Sequence, residues 1–198
     1  FGAGKIATTY TTAGTVFDLG TATGLPVNRG TGAIEIGGNA TAIRTFAGGG
    51  KAWPALSFTN TTASGELDFT GSNTFKSISV STPPQTLKFT TGTTNTIEDT
   101  TTGFPSGTSG SLVTVGTISG TATLTKSGGG RVCSDYLALS NITGSPSTLA
   151  WYVGANSTGS GTGLIFSACP SIPATNPIVP HATAGMLTAT GGTLSTVV

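Results

Sequence analysis

Apolar residues recur at every second position in a series of short runs. Leu56-Ser57-Phe58, Leu67-Asp68-Phe69, Ile78-Ser79-Val80, Leu87-Lys88-Phe89, Val113-Thr114-Val115 and Leu137-Ala138-Leu139 each put two apolar side chains on one face. A period of two is the signature of a half-buried strand. Strands this short need neighbours to bury their apolar face. Leu67 to Phe75 also repeats in Leu87 to Ile97 as apolar, any, apolar, Thr, a Gly-and-Asn turn, then apolar. Weaker copies start at Ile34 and Ala122. A step of about 20–25 residues carrying two or three short strands is the size of one coil of a parallel solenoid.

The pattern predicts an all-β fold, a right-handed parallel β-helix with extended terminal arms. Gly and Asn at the corners would supply the positive φ that sharp bends need. The alternative is a β-sandwich or jelly roll, which also alternates short strands with turns. The in-register repeat favours the solenoid, with Leu67 on Leu87 and Phe69 on Phe89. Residue Asp68 would then stack beside Lys88 as a charge ladder. The predicted organisation is a lead-in arm or irregular first layer over 1–33, the β-helix over 34–166 and a Pro-rich C-terminal arm over 167–198. Pro170, Pro173, Pro177 and Pro180 keep the last segment out of a central sheet. Its isolated apolar pairs, Met186-Leu187 and Val197-Val198, suit docking on another subunit.

Composition narrows the function classes. Thr, Ser and Gly supply 92 of the 198 residues, and only 8% are charged. Thr is β-branched and favours strands. Eight scattered Lys and Arg with a net charge of +1 form no basic footprint, so nucleic acid is not an expected partner. No apolar run approaches the roughly 20 residues of a membrane helix, and none is expected. Phe1 to Tyr10 does not have the pattern of a signal peptide. Cys133 and Cys169 are the only cysteines. They fit no metal-knuckle spacing, and the sequence leaves open a bridge or two separately buried thiols.

Several longer motifs are more specific. Gly50-Lys51-Ala52-Trp53-Pro54-Ala55-Leu56-Ser57-Phe58 precedes the repeat, and Cys133-Ser134-Asp135-Tyr136-Leu137-Ala138-Leu139 follows it. Then come Trp151-Tyr152-Val153-Gly154-Ala155-Asn156-Ser157-Thr158 and Gly163-Leu164-Ile165-Phe166. Over residues 34–166 this succession resembles the Gly/Thr-rich β-helical structural proteins of tailed bacteriophages and prophages. Leu164 departs from the resemblance, which expects Trp there. The resemblance implies a virion surface role as a fibre, spike or capsid-decorating protein. It carries no catalytic residues to transfer.

The residues themselves offer little catalytic chemistry. His181 is the single histidine, follows Pro180 and has no triad context. Gly2-Ala3-Gly4-Lys5 and Gly48-Gly49-Gly50-Lys51 miss the phosphate-loop spacing and read as turns. Glu66 and Asp68 face outward together at a spacing of roughly 7 Å, within an inverting glycosidase's range, whereas Glu98 and Asp99 should point apart. Surface charge is the plainer reading of both pairs. Trp53 and Trp151-Tyr152 read as caps on the solenoid ends or as an intersubunit contact, with sugar stacking as the rival. The four Asn-x-Thr sequons are no more than such a composition produces by chance.

The expected protein is therefore non-enzymatic, with no catalytic, cofactor or metal site. It should self-associate, as a trimer, and contact other virion proteins on the virion surface. A receptor- or glycan-binding adhesin using corner loops such as Thr100 to Gly110, and an extracellular filament subunit, are the alternatives, on an extracellular or cell surface. A host-surface glycan is a partner in that case. A polysaccharide-degrading β-helix enzyme stands third.

Overall fold

The computed structural model describes residues 2–21, 27–39, 41–98, 102–128, 130–148 and 150–171, and the backbone of the strands Leu187–Thr190 and Thr193–Thr196. The described chain is all-β without a helix, and its strands pair mostly in parallel within a curled sheet, a layered arrangement consistent with the parallel-solenoid class. Among the described residues, antiparallel pairing is confined to the bridge Thr108–Ser111 and the hairpin of Leu187–Thr190 with Thr193–Thr196. A sandwich or jelly roll would pair its neighbours antiparallel throughout.

The strands stack in columns. The first holds Lys5–Thr9, Ala33–Gly38, Ala55–Asn60 and Ile78–Val80. The second holds Gly14–Asp18, Ile43–Ala47, Gly65–Thr70, Gln85–Phe89, Val113–Thr117 and the start of Leu137–Ser145. Ala52–Trp53, Thr74–Phe75, Thr94–Ile97 and Ala122–Lys126 form the third, which meets the other end of Leu137–Ser145. That nine-residue strand therefore belongs to two columns, pairing through Leu137 to Leu139 with one and Ile142 to Ser145 with the other. A short column of Val132–Cys133, Trp151–Tyr152 and Leu164–Ile165 closes the last layers.

Leu67 pairs with Leu87 and Phe69 with Phe89, in parallel register as the repeat predicts. Leu87 continues to Val115 and Val115 to Leu139. The inward positions make one continuous core. Phe17 stacks on Phe46 at 4.8 Å and Phe69 on Phe89 at 4.9 Å, with Trp53 and Phe75 edge-on between the columns. Such ring pairs contribute about 0.5–1.5 kcal/mol each beyond their buried area.

Three details depart from the sequence expectation. The copies at Ile34 and Ala122 stand in different columns: Ile34 pairs with Leu56, and Ala122 with Ile142. A period-two run looks the same in any column, so local pattern alone could not assign them. The residue that does pair with Leu67 on the other side is Arg44, fully buried. The corner asparagines also work differently. Gly71 and Gly92 take positive φ as expected, at 84° and 72°, but Asn73 and Asn95 do not. Their amides are fully buried and bind backbone: the Asn73 N–H donates to Asn95 Oδ1 at 3.1 Å, and Asn73 Nδ2 donates to Thr70 O at 2.9 Å. A second corner is tied the same way, with Gln85 Nε2 donating to the carbonyls of Asn60, Thr62 and Thr82.

The first segment contributes two strands. Lys5–Thr9 and Gly14–Asp18 pair with the second layer, and Ile6 and Tyr10 remain 41% and 43% exposed. At the other end Cys133 and Cys169 are bridged, and Arg131 donates to Pro170 O at 3.0 Å. His181 and the prolines beyond Pro170 lie outside the described residues.

Candidate functional site

Two charged places on the outer surface invite chemistry. The first follows from strand alternation. Because Leu67 and Phe69 point inward, Glu66 and Asp68 share the outer face, and Asp68 stands beside Lys88 in register. The expected ladder is thus present as adjacent strands with a common face. The ion pair itself runs diagonally, from Lys88 Nζ to Glu66 Oε2 at 2.8 Å. A long lysine reaches such a diagonal neighbour readily. Asp68 lies half-buried with Oδ1 enclosed and lacking a hydrogen-bond partner. Burial pushes its carboxyl up to about 6, helped by the charge and hydrogen bond of Glu66 and opposed by Lys88. Of the two carboxylates, Glu66 is thus taken up by Lys88, and Asp68 stays half-buried beside it.

The second place is a corner cleft. Trp53, Phe75 and Ile97 stack as successive inward residues of the third column. The residue after each, Pro54, Lys76 and Glu98, turns out of the strand at the same corner. Two hydrogen bonds hold the turn in layers, Lys76 N–H to Trp53 O at 3.1 Å and Glu98 N–H to Phe75 O at 2.9 Å. Residues 27–30 lie across this corner, and Arg29 forms an ion pair with Glu98, 69 residues away in sequence. Together these elements border an open cleft of about 650 Å³, lined by Val27, Asn28, Arg29, Gly30, Pro54, Lys76 and Glu98. The Lys76 ammonium is exposed at its wall and has no ion-pair or hydrogen-bond partner among the described residues. Asp99 lies outside them.

The aromatic candidates are interior. Trp53 and Trp151 are 0% and 1% exposed, and Tyr152 is buried as well, so these rings offer no open platform to a sugar. Trp53 packs edge-on against Phe17 and Phe46 near the first layers. Near the last, Trp151 packs edge-on against Phe104 and donates to Ser145 O at 2.8 Å. They seal the core toward its ends.

The Trp151-to-Thr158 motif has a structural explanation. Gly154 takes φ 84° against Asp135, where a Cβ would come within 2.1 Å of Oδ1. Asp135 accepts from Asn156 Nδ2 at 2.7 Å, Asn156 N–H at 3.0 Å and Tyr136 N–H at 2.8 Å. Burial disfavours the charged form, but these bonds outweigh it and hold the carboxyl below its ordinary range. Ser157 Oγ accepts from Leu137 N–H at 2.8 Å, tying the same two layers. The Gly, Asn and Ser of this motif thus position one layer on the next.

Gly48 packs against Asn73 and Phe46, and Gly50 N–H donates to Asn73 Oδ1 at 3.2 Å, which makes that glycine run a corner. Among the described residues no three His, Cys, Asp or Glu side chains gather as metal ligands. Neither Arg44, whose guanidinium lies 4.9 Å from the Phe58 ring centre, nor the Arg29 cleft was signalled by the sequence pattern. Comparison with protein-family models, curated proteins and solved structures returned no match.

Proposed function

We propose that this chain is a non-enzymatic structural protein of a virion surface, a fibre, spike or capsid-decorating component built on a right-handed parallel β-helix. It self-associates as a homotrimer and meets other virion proteins. The observation that carries this reading is the layered stack, in which each layer is buried only by the layers beside it. Among the described residues the first layer has a neighbour on one side, and Ile6 and Tyr10 stand exposed there. Thr, Ser and Gly supply 92 of the 198 residues and only 8% are charged, a composition suited to close packing between copies. The bridge between Cys133 and Cys169 suits an oxidising exterior such as a particle surface.

Mass photometry and light scattering of the full chain across the micromolar range test self-association, and peptide mass spectrometry of purified particles tests location. The expected results are a trimeric mass and recovery of this chain from intact virions. A monomeric mass throughout, or absence from particles that the host releases, would overturn the proposal.

A further inference from the structure

Beyond the structural role, and independently of assembly state, we infer that the cleft between residues 27–30 and the Pro54, Lys76 and Glu98 corner binds the carboxylate of an acidic sugar. Its size, about 650 Å³, falls within the range of small-ligand pockets. Its chemistry is mixed in a way that selects among anions. Lys76 supplies a cation with no partner among the described residues, while Arg29 is already engaged by Glu98. Among the described residues these three charges sum to one positive charge, which suits a single carboxylate. Glu98 would repel a bare anion, yet it accepts hydrogen bonds from hydroxyl groups. A sugar acid brings both the carboxylate and the hydroxyls. Val27 adds apolar surface for the C–H face of the ring.

The arrangement is also preformed. Pro54 is buried, and the backbone bonds of Lys76 and Glu98 fix two successive layers of the corner. The ion pair of Arg29 with Glu98 holds the crossing segment over it. Binding therefore requires ordering of little more than the Lys76 side chain, which keeps its entropic cost small. Surface charges of this kind are screened by salt, so the affinity should fall as ionic strength rises.

The test is a titration of the full chain with methyl glucuronide, methyl glucoside and inorganic sulfate, followed by saturation-transfer NMR. Glucuronide should bind with a dissociation constant of order 1 mM. Lys76→Gln should weaken it about tenfold or more, the loss of one charge-assisted contact. Lys76 is exposed, so its variant should retain the wild-type melting temperature. Equal binding of glucoside would remove the carboxylate from the proposal. Sulfate binding as tightly and competing for the same site would make the ligand a bare oxyanion and remove the sugar. Unchanged binding by Lys76→Gln, or no glucuronide binding by the wild type, would overturn the site itself.

Discussion

Replacing Asp68 by Asn should stabilise the protein at neutral pH, although it deletes a charge that sits in register with a lysine. In the fold Asp68 carries a carboxyl pushed up from 3.8 to about 6, first by burial and then by Glu66. A group whose folded value is raised binds protons more tightly in the folded state. Its contribution to stability is full below the unfolded value near 4 and is lost as pH rises through about 6. A shift of about two units corresponds to roughly 3 kcal/mol if taken at face value. The carboxyl is only half-buried, so solvent screening reduces the figure to about 1 kcal/mol. The Asn amide can still donate to Glu66, and Lys88 keeps its bond to Glu66 at 2.8 Å. For a domain of this size 1 kcal/mol is about 2–4 °C in melting temperature. Melting curves of wild type and Asp68→Asn from pH 4 to pH 8 measure the difference directly. The variant should gain those degrees at pH 7.5, with the gap closing toward pH 4. A variant that melts lower at pH 7.5, or a gap that does not change with pH, would refute the reasoning.

Three further outcomes follow from the packing. Phe69→Ala empties the middle of the aromatic stack between Phe46 and Phe89 and should cost about 3–5 kcal/mol in chemical denaturation. Gly154→Ala forces a Cβ toward Asp135 at a positive φ and should cost more than Asn156→Ala, which removes one hydrogen bond worth about 1 kcal/mol; equal melting temperatures for the two variants would contradict the geometry. Reduction of the Cys133–Cys169 bridge, which spans 36 residues, should lower stability by up to about 4 kcal/mol on a chain-entropy basis, read as a shift between melts with and without reductant.

Much of the central stack was legible because two signals coincided there. Leu67-x-Phe69 and Leu87-x-Phe89 share both an alternation and a turn of the same chemistry, which fixes register as well as strand type. Elsewhere alternation stood alone. It identified Ile34-x-Ile36 and Ala122-x-Leu124 as strands yet could not say which column each joins, since corners of different length separate them. The diagonal choice of Lys88 for Glu66 over Asp68 depends on side-chain reach, which register does not encode. Asn73 and Asn95 were recognised as corner residues but for the wrong property, because an asparagine that suits positive φ also suits a buried amide ladder. The cleft had no sequence signal: Arg29 and Glu98 meet across 69 residues, a contact that alternation does not encode.

The layers differ in the length of chain they consume, yet Gln85–Phe89 keeps an unbroken register with both of its neighbours. Thr90 donates to Phe69 across 21 residues, whereas Thr91 and Ser119 bond across 28, and both links sit in the same stack. Part of the longer layer is the turn closed by the Thr108–Ser111 bridge, and the strand after it, Val113–Thr117, still pairs in parallel with Gln85–Phe89. Loop closure grows only slowly in cost with length. Sequence can therefore be added or removed at such turns with little penalty to the interior. The fold separates a conserved-volume axis from an exterior free to vary, so new loops can be tried one layer at a time without renegotiating the rest of the molecule.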